Sequence, residues 1–189
     1  RFGIMVTCAL VGTPGLSAAQ MCFRANPAPR CHSFWITEVG MSVRLDPRQE
    51  LSEGGSALTL EVGHMVNTGR RSALGAAIFL QSPEPILGFG LRPRYRRWLS
   101  RKVSLDIAPG IEYRSNNARF LPSGQLALNL GSGFAVTGDV HLIPGSPKAG
   151  RKGRLAWYVG GRLGGGMGLA GLLAMVALGL LLGVVGTDV

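Results

Sequence analysis

Apolar residues recur at every second position over most of this chain. In Lys102–Arg114, Val103, Leu105, Ile107, Pro109, Ile111 and Tyr113 share one face; Ser104, Asp106, Ala108, Gly110 and Glu112 share the other. A period of two with one apolar face describes a strand that separates two media. The same alternation predicts strands at Phe34–Leu45, Ser56–Val66, Ser72–Gln81, Ile86–Arg97, Gln125–Leu130, Phe134–Ile143 and Arg154–Leu163. Gln125–Ile143 is too long for one ordinary strand, and Gly131-Ser132-Gly133 divides it into a hairpin. Asn67-Thr68-Gly69-Arg70 is a second hairpin signal.

Eight alternating segments predict a mainly β fold, an antiparallel up-and-down barrel. The connections are unequal. The polar stretches at 46–55, 115–124 and 144–153 are long, whereas the second, fourth and sixth connections are tight. The third connection, Ser82-Pro83-Glu84-Pro85, is short and breaks the rule, but long loops at one rim and tight turns at the other otherwise fit a barrel that crosses a membrane.

The two ends of the chain read differently. Phe2–Gly12 is apolar and Ser17-Ala18-Ala19 supplies small residues at a cleavage position, so 1–19 reads as a signal peptide truncated at its start. Cys8 falls inside it. Cys22 and Cys31 then bound a Pro-containing loop at 20–33 and are expected to form a disulfide in an oxidising compartment. The barrel occupies 34–163. Residues 164–189 form a Gly-rich joint and an apolar stretch, Met167–Val185, without a charge. That stretch predicts a membrane helix, since about twenty apolar residues span the hydrocarbon core; Gly179 and Gly183 permit close helix contact.

Composition narrows the chemistry. The formal net charge is +10, yet only 16 % of residues are charged and Gly numbers 29; the mean hydropathy is +0.24. Such a chain is too apolar for disorder, and its positive charge points to acidic partners, above all anionic lipid headgroups. It carries no helix-turn-helix cue, zinc-finger spacing or RNP-like strand, so nucleic acid is not an expected partner. His32, His64 and His141 are scattered, no GxSxG occurs, and no cofactor is expected. Glu38, Glu61, Asp106, Glu112 and Asp139 all fall on polar faces. In an eight-stranded barrel, whose interior holds only side chains, they are expected to pair with Arg44, Arg92, Arg94, Arg114 and Arg162. The densest basic run, Arg92, Arg94, Arg96, Arg97, Arg101 and Lys102, is interleaved with Tyr95 and Trp98. It reads as a rim with aromatics at headgroup level, and as a candidate phosphate or headgroup contact.

Over 34–163 the alternating segments, exported start and unequal loops resemble the small outer-membrane β-barrel proteins of Gram-negative bacteria. The resemblance implies a non-enzymatic envelope protein in the outer membrane, structural or lipid-interacting. It lacks the terminal aromatic of that family, ending Gly186-Thr187-Asp188-Val189. Two other readings are a soluble β-barrel ligand-binding module tethered to the plasma membrane and facing the periplasm, and a lipid-modifying membrane enzyme.

The paired cysteines generate a first prediction. In exported protein, Cys22 and Cys31 are both expected to resist alkylation until a reductant is added, read by mass spectrometry of the non-reduced chain. Full labelling of both thiols before reduction is the contrary result.

Overall fold

A computed structural model describes residues 32–45, 55–83, 87–114, 119–131, 133–143, 153–165, 168–171 and 173–174. They form the expected closed antiparallel barrel. Its strands are β1 (Ser33–Arg44), β2 (Ser56–Gly69), β3 (Ser72–Pro83), β4 (Gly88–Trp98), β5 (Val103–Arg114), β6 (Arg119–Leu130), β7 (Phe134–Ile143) and β8 (Arg154–Gly164). Each pairs with its neighbour in sequence, and β8 returns to β1. Closure pairs every strand on both sides for most of its length, which removes the long open edges of a flat sheet.

The faces segregate as the alternation demands. On β4, Gly88, Gly90, Arg92, Arg94, Arg96 and Trp98 are buried, while Phe89, Leu91, Pro93, Tyr95 and Arg97 are exposed. The buried side is the lumen, and it is polar; the exposed side is apolar. Leu74, Ile78, Ile107, Ile111, Leu126 and Leu155 all lie on the outer surface, each about half exposed or more. A soluble barrel has the reverse arrangement.

Three details depart from the local sequence signals. First, β6 begins at Arg119, so residues 119–124, expected to be loop, are strand. They continue the β5 ladder through Glu112↔Leu121 and Arg114↔Arg119. Ser123 and Gly124 carry little strand preference of their own, and pairing along the full length of β5 overrides it. The fifth connection is therefore short, and among the odd connections only the first and seventh remain long. Second, β2 runs on to Gly69, with a register shift between Asn67 and Gly69. Third, the β4–β5 ladder is interrupted between Leu91↔Ile111 and Tyr95↔Ile107. Pro93 and Pro109 fall inside that gap, and neither has an N–H to offer.

β1 and β8 pair only from Glu38↔Gly164 to Arg44↔Tyr158, which leaves the first residues of β1 without a strand on that side. The chain after β8 turns at Gly165 (φ 69°) and crosses this seam. Thr37 Oγ1 donates to Gly165 O at 2.9 Å, and Leu169 N donates to Gly165 O at 3.0 Å. Residues 168–171 and 173–174 are helical, and Gly168 sits so close to Thr37 O and Leu163 O that a Cβ there would collide with both. Of the apolar stretch Met167–Val185, only these residues are described, and no helix among the described residues is long and apolar enough to cross a membrane. The expected signal peptide at 1–19 and the Cys22–Cys31 pair lie outside the described residues.

Glycine sets the bore. An added Cβ at Gly40 would lie 2.5 Å from Cγ of Arg162, and one at Gly110 would lie 2.6 Å from Cγ of Arg92. Arg162 and Arg92 thus each cross over a residue without a side chain, as the filling of a small barrel requires. Gly110→Leu is expected to destabilise the barrel by about 1–3 kcal/mol through overpacking, read as a lower midpoint of unfolding in urea. An unchanged midpoint would show that Arg92 moves aside freely.

Candidate functional site: a sealed polar lumen

The described carboxylates, Glu38, Glu61, Asp106, Glu112 and Asp139, all point inward and are buried. Strand alternation places them there, one or two to a strand, and barrel closure brings together residues distant in sequence. Arg94 is the hub. Its Nη1 lies 2.9 Å from Glu38 Oε2 and 3.4 Å from Asp106 Oδ2; its Nη2 lies 2.5 Å from Glu61 Oε1 and 3.4 Å from Gln125 Oε1. Arg162 Nη1 donates to the second oxygen of Glu61 at 2.7 Å and to Glu38 Oε2 at 2.5 Å. Arg96 forks onto Asp106, with Nε to Oδ1 and Nη2 to Oδ2 both at 2.6 Å. Two-pronged geometry of this kind is the strongest form of such a pair.

Arg92 is held differently. Its Nη1 is 3.7 Å from Glu61 Oε2 and 3.6 Å from Asp139 Oδ1, close enough for attraction but long for hydrogen bonds. Its guanidinium carbon lies 3.8 Å from the centre of the Phe79 ring. This cation–π contact supplies part of what the carboxylates do not. Asp139 also accepts from Gln125 Nε2 at 2.6 Å.

Further along the lumen, toward the odd-numbered connections, lies a smaller group. Glu112 Oε1 accepts from Arg114 Nε at 2.7 Å, and Glu112 Oε2 meets His141 Nδ1 at 2.6 Å. The His141 ring stands edge-on to Tyr158, with centroids 5.4 Å apart. At the other end the lumen is closed by an apolar plug of Phe34, Ile36, Met65, Ala73, Ala77 and Trp98. Phe34 and Trp98 pack with ring centroids 6.1 Å apart. Between the plug and Glu112, the space around Ser42, Thr59, Gln125, Thr137 and Arg162 is too narrow to admit a water molecule. An apolar groove of about 710 Å³ lies on the outer face, between Trp35, Val62, Ile78 and Phe89.

These positions divide the basic run read from the sequence. Arg92, Arg94 and Arg96 are lumenal and buried, whereas Arg97, Arg101 and Lys102 are exposed at the rim. Of the two interleaved aromatics, Tyr95 lies on the outer face as expected. Trp98 does not: it shares the parity of the lumenal arginines and turns inward to the plug, 4 % exposed. Of the expected cation partners, Arg92, Arg94, Arg114 and Arg162 engage the carboxylates, joined by Arg96. The plug was missed although the sequence carried its signal: Phe34-Trp35-Ile36 is an apolar run that breaks the alternation, and Phe34 and Ile36 share parity with Glu38. Among the described residues, no group of three or more His, Cys, Asp or Glu could hold a metal.

No family model matches this chain, and no curated protein matches it. A solved structure described as "De novo design of transmembrane beta-barrels" aligns with 73 % of this chain and 99 % of its own, at 9 % identity and a TM-score of 0.42.

The network generates a prediction. Arg94→Met strands Glu38 and Glu61 in the lumen without their shared partner. It is expected to destabilise the barrel by about 3–5 kcal/mol. Arg97→Met, three residues on and exposed, is expected to change stability by less than about 0.5 kcal/mol. Urea unfolding followed by tryptophan fluorescence compares them, and equal effects would mean that the lumenal pairs are not what holds the barrel.

Proposed function

We propose that this chain is a non-enzymatic membrane β-barrel of a bacterial cell envelope, placed in the outer membrane, which acts through its surfaces and not through its lumen. The observation that carries this reading is the inversion of the barrel: ion pairs inside, an apolar belt outside. Arg or Lys on a lipid-facing wall costs about 2–4 kcal/mol at the bilayer midplane. The outer face between the rims carries none among the described residues.

Aromatic residues support the same reading, because they collect where the belt meets each rim. Toward the odd-numbered connections, Phe89, Tyr113 and Phe120 form a ladder with centroids 5.2 and 5.4 Å apart, and Trp157 is exposed toward the same rim on β8. Toward the even-numbered turns stand Trp35, Tyr95 and Phe134, each on the outer face. A tethered soluble module would have to present Ile78, Leu126 and Leu155 to water.

Catalysis by the lumenal carboxylates is disfavoured by their engagement. Glu38, Glu61 and Asp106 accept from arginines, the plug closes one end, and the bore has no room for a substrate beside them. The same filling argues against a pore. In planar bilayers the wild-type protein is therefore expected to insert without stepwise ion conductance.

The decisive contrast uses neighbouring residues of β5. Ile107 is outward and 47 % exposed; Asp106 is inward and 1 % exposed. Ile107→Arg is expected to impair insertion into phosphatidylcholine vesicles by about 2–4 kcal/mol, read as loss of the protease-protected band. Asp106→Asn is expected to lower stability while leaving the inserted fraction largely intact. If Ile107→Arg inserts as well as wild type, the apolar face does not meet lipid and the membrane reading falls.

A further inference from the structure

The even-numbered turns make one rim of the barrel, and the backbone ties each to the next. Trp98 N donates to Arg71 O at 2.9 Å, joining the β2–β3 turn to the β4–β5 turn. Gly131 N donates to Lys102 O at 2.6 Å, joining that turn to the β6–β7 turn, and Gly164 N donates to Gly133 O at 2.8 Å. Inside the β4–β5 turn, Leu99 N and Ser100 N both donate to Val103 O, while Ser100 Oγ accepts from Lys102 N and Val103 N. The rim is therefore a set of short, mutually bonded turns.

Five cations stand on it: Arg70, Arg71, Arg97, Arg101 and Lys102, all exposed. Strand pairing brings the two groups together, because Ser72 sits opposite Arg97 in the β3–β4 register. None has a counter-ion among the described residues, since every described carboxylate is buried in the lumen. The turns at 70–71, 99–102 and 131–133 contain no acidic residue. Just inside this rim, on the outer face, lie Trp35, Tyr95 and Phe134. Aromatic side chains at the hydrocarbon boundary followed by unpaired cations match the order of layers met on leaving a bilayer: acyl chain, glycerol, phosphate.

We infer that the rim formed by Arg70, Arg71, Arg97, Arg101 and Lys102 is a docking surface for the phosphates of anionic lipids in one leaflet. This rests on the membrane reading above and adds to it a partner and an orientation. Guanidinium groups suit the role, because each presents a fork that fits a phosphate. A cation near an anionic leaflet contributes roughly fivefold in lipid partition for each charge.

The test compares two variants that each remove three charges from the full chain. R97Q/R101Q/K102Q neutralises three of the five cations of this rim. K148Q/R151Q/K152Q neutralises the β7–β8 connection, which joins strand ends, Ile143 and Arg154, that belong to the opposite rim. Wild type and both variants are inserted into vesicles of equal parts phosphatidylcholine and phosphatidylglycerol, extracted in mild detergent, and the lipid retained by the barrel is measured by mass spectrometry. Wild type and K148Q/R151Q/K152Q are expected to retain phosphatidylglycerol in excess over phosphatidylcholine. R97Q/R101Q/K102Q is expected to lose that excess at least fivefold while keeping its protease-protected barrel. Equal loss in both variants would reduce the effect to net charge and overturn the docking surface, as would an unchanged excess in R97Q/R101Q/K102Q or no excess in wild type. Failure of wild type to insert into any vesicle would overturn the membrane reading itself and the docking surface with it.

Discussion

Charge compensation inside the barrel is the condition on which the rest of this structure depends. With the outer face apolar, the ionic groups of the strands have only the lumen to occupy, and each isolated buried ion costs several kcal/mol. Glu38, Glu61, Asp106 and Asp139 meet Arg92, Arg94, Arg96 and Arg162 in the middle of the bore, four against four. The choice of cation is not neutral. Every lumenal cation among the described residues is arginine, and no lysine joins it. A guanidinium spreads several donors over a plane, so Arg94 can reach three carboxylates at once, whereas a single ammonium offers a point charge.

Size is matched as closely as charge. An eight-stranded bore holds side chains and little else, and an arginine fits only where the facing residue is small. Gly40 beneath Arg162 and Gly110 beneath Arg92 supply that space. The abundance of glycine, which would weaken an ordinary strand, is tolerated because each strand is paired on both sides. Pro93 and Pro109 show the same economy: the β4–β5 ladder gives up its pairing where both prolines stand on the outer face, next to Arg92 and Arg94. The loss falls in one place.

Much of this was legible in the sequence. Parity alone assigned Glu38, Glu61, Asp106, Glu112 and Asp139 to one face, and the Phe134–Ile143 strand starts and stops where its composition indicates. Three things were not legible. The start of β6 was hidden because Arg119–Gly124 becomes strand through β5 and not through its own residues. The inward turn of Trp98 was obscured by its charged neighbours, although its parity with Arg96 pointed inside. The assembly of Arg70 and Arg71 with Arg97, Arg101 and Lys102 depends on which turns share a rim, which follows from topology and leaves no local pattern.

The two ends of the lumen differ, and the difference bears on the rim. Behind the five exposed cations stands the apolar plug of Phe34, Ile36, Met65 and Trp98, and only behind that plug begins the network around Arg94. An apolar layer lies between two sets of charges that would otherwise neutralise one another. Had the lumenal carboxylates opened onto this rim, Arg97 and Arg101 could fold back onto them, and the positive field of the rim would collapse. The plug thus does two things with the same side chains. It seals the bore against water, and it keeps the lumenal network and the rim as separate electrostatic systems, one self-neutralised and one left to be neutralised from outside.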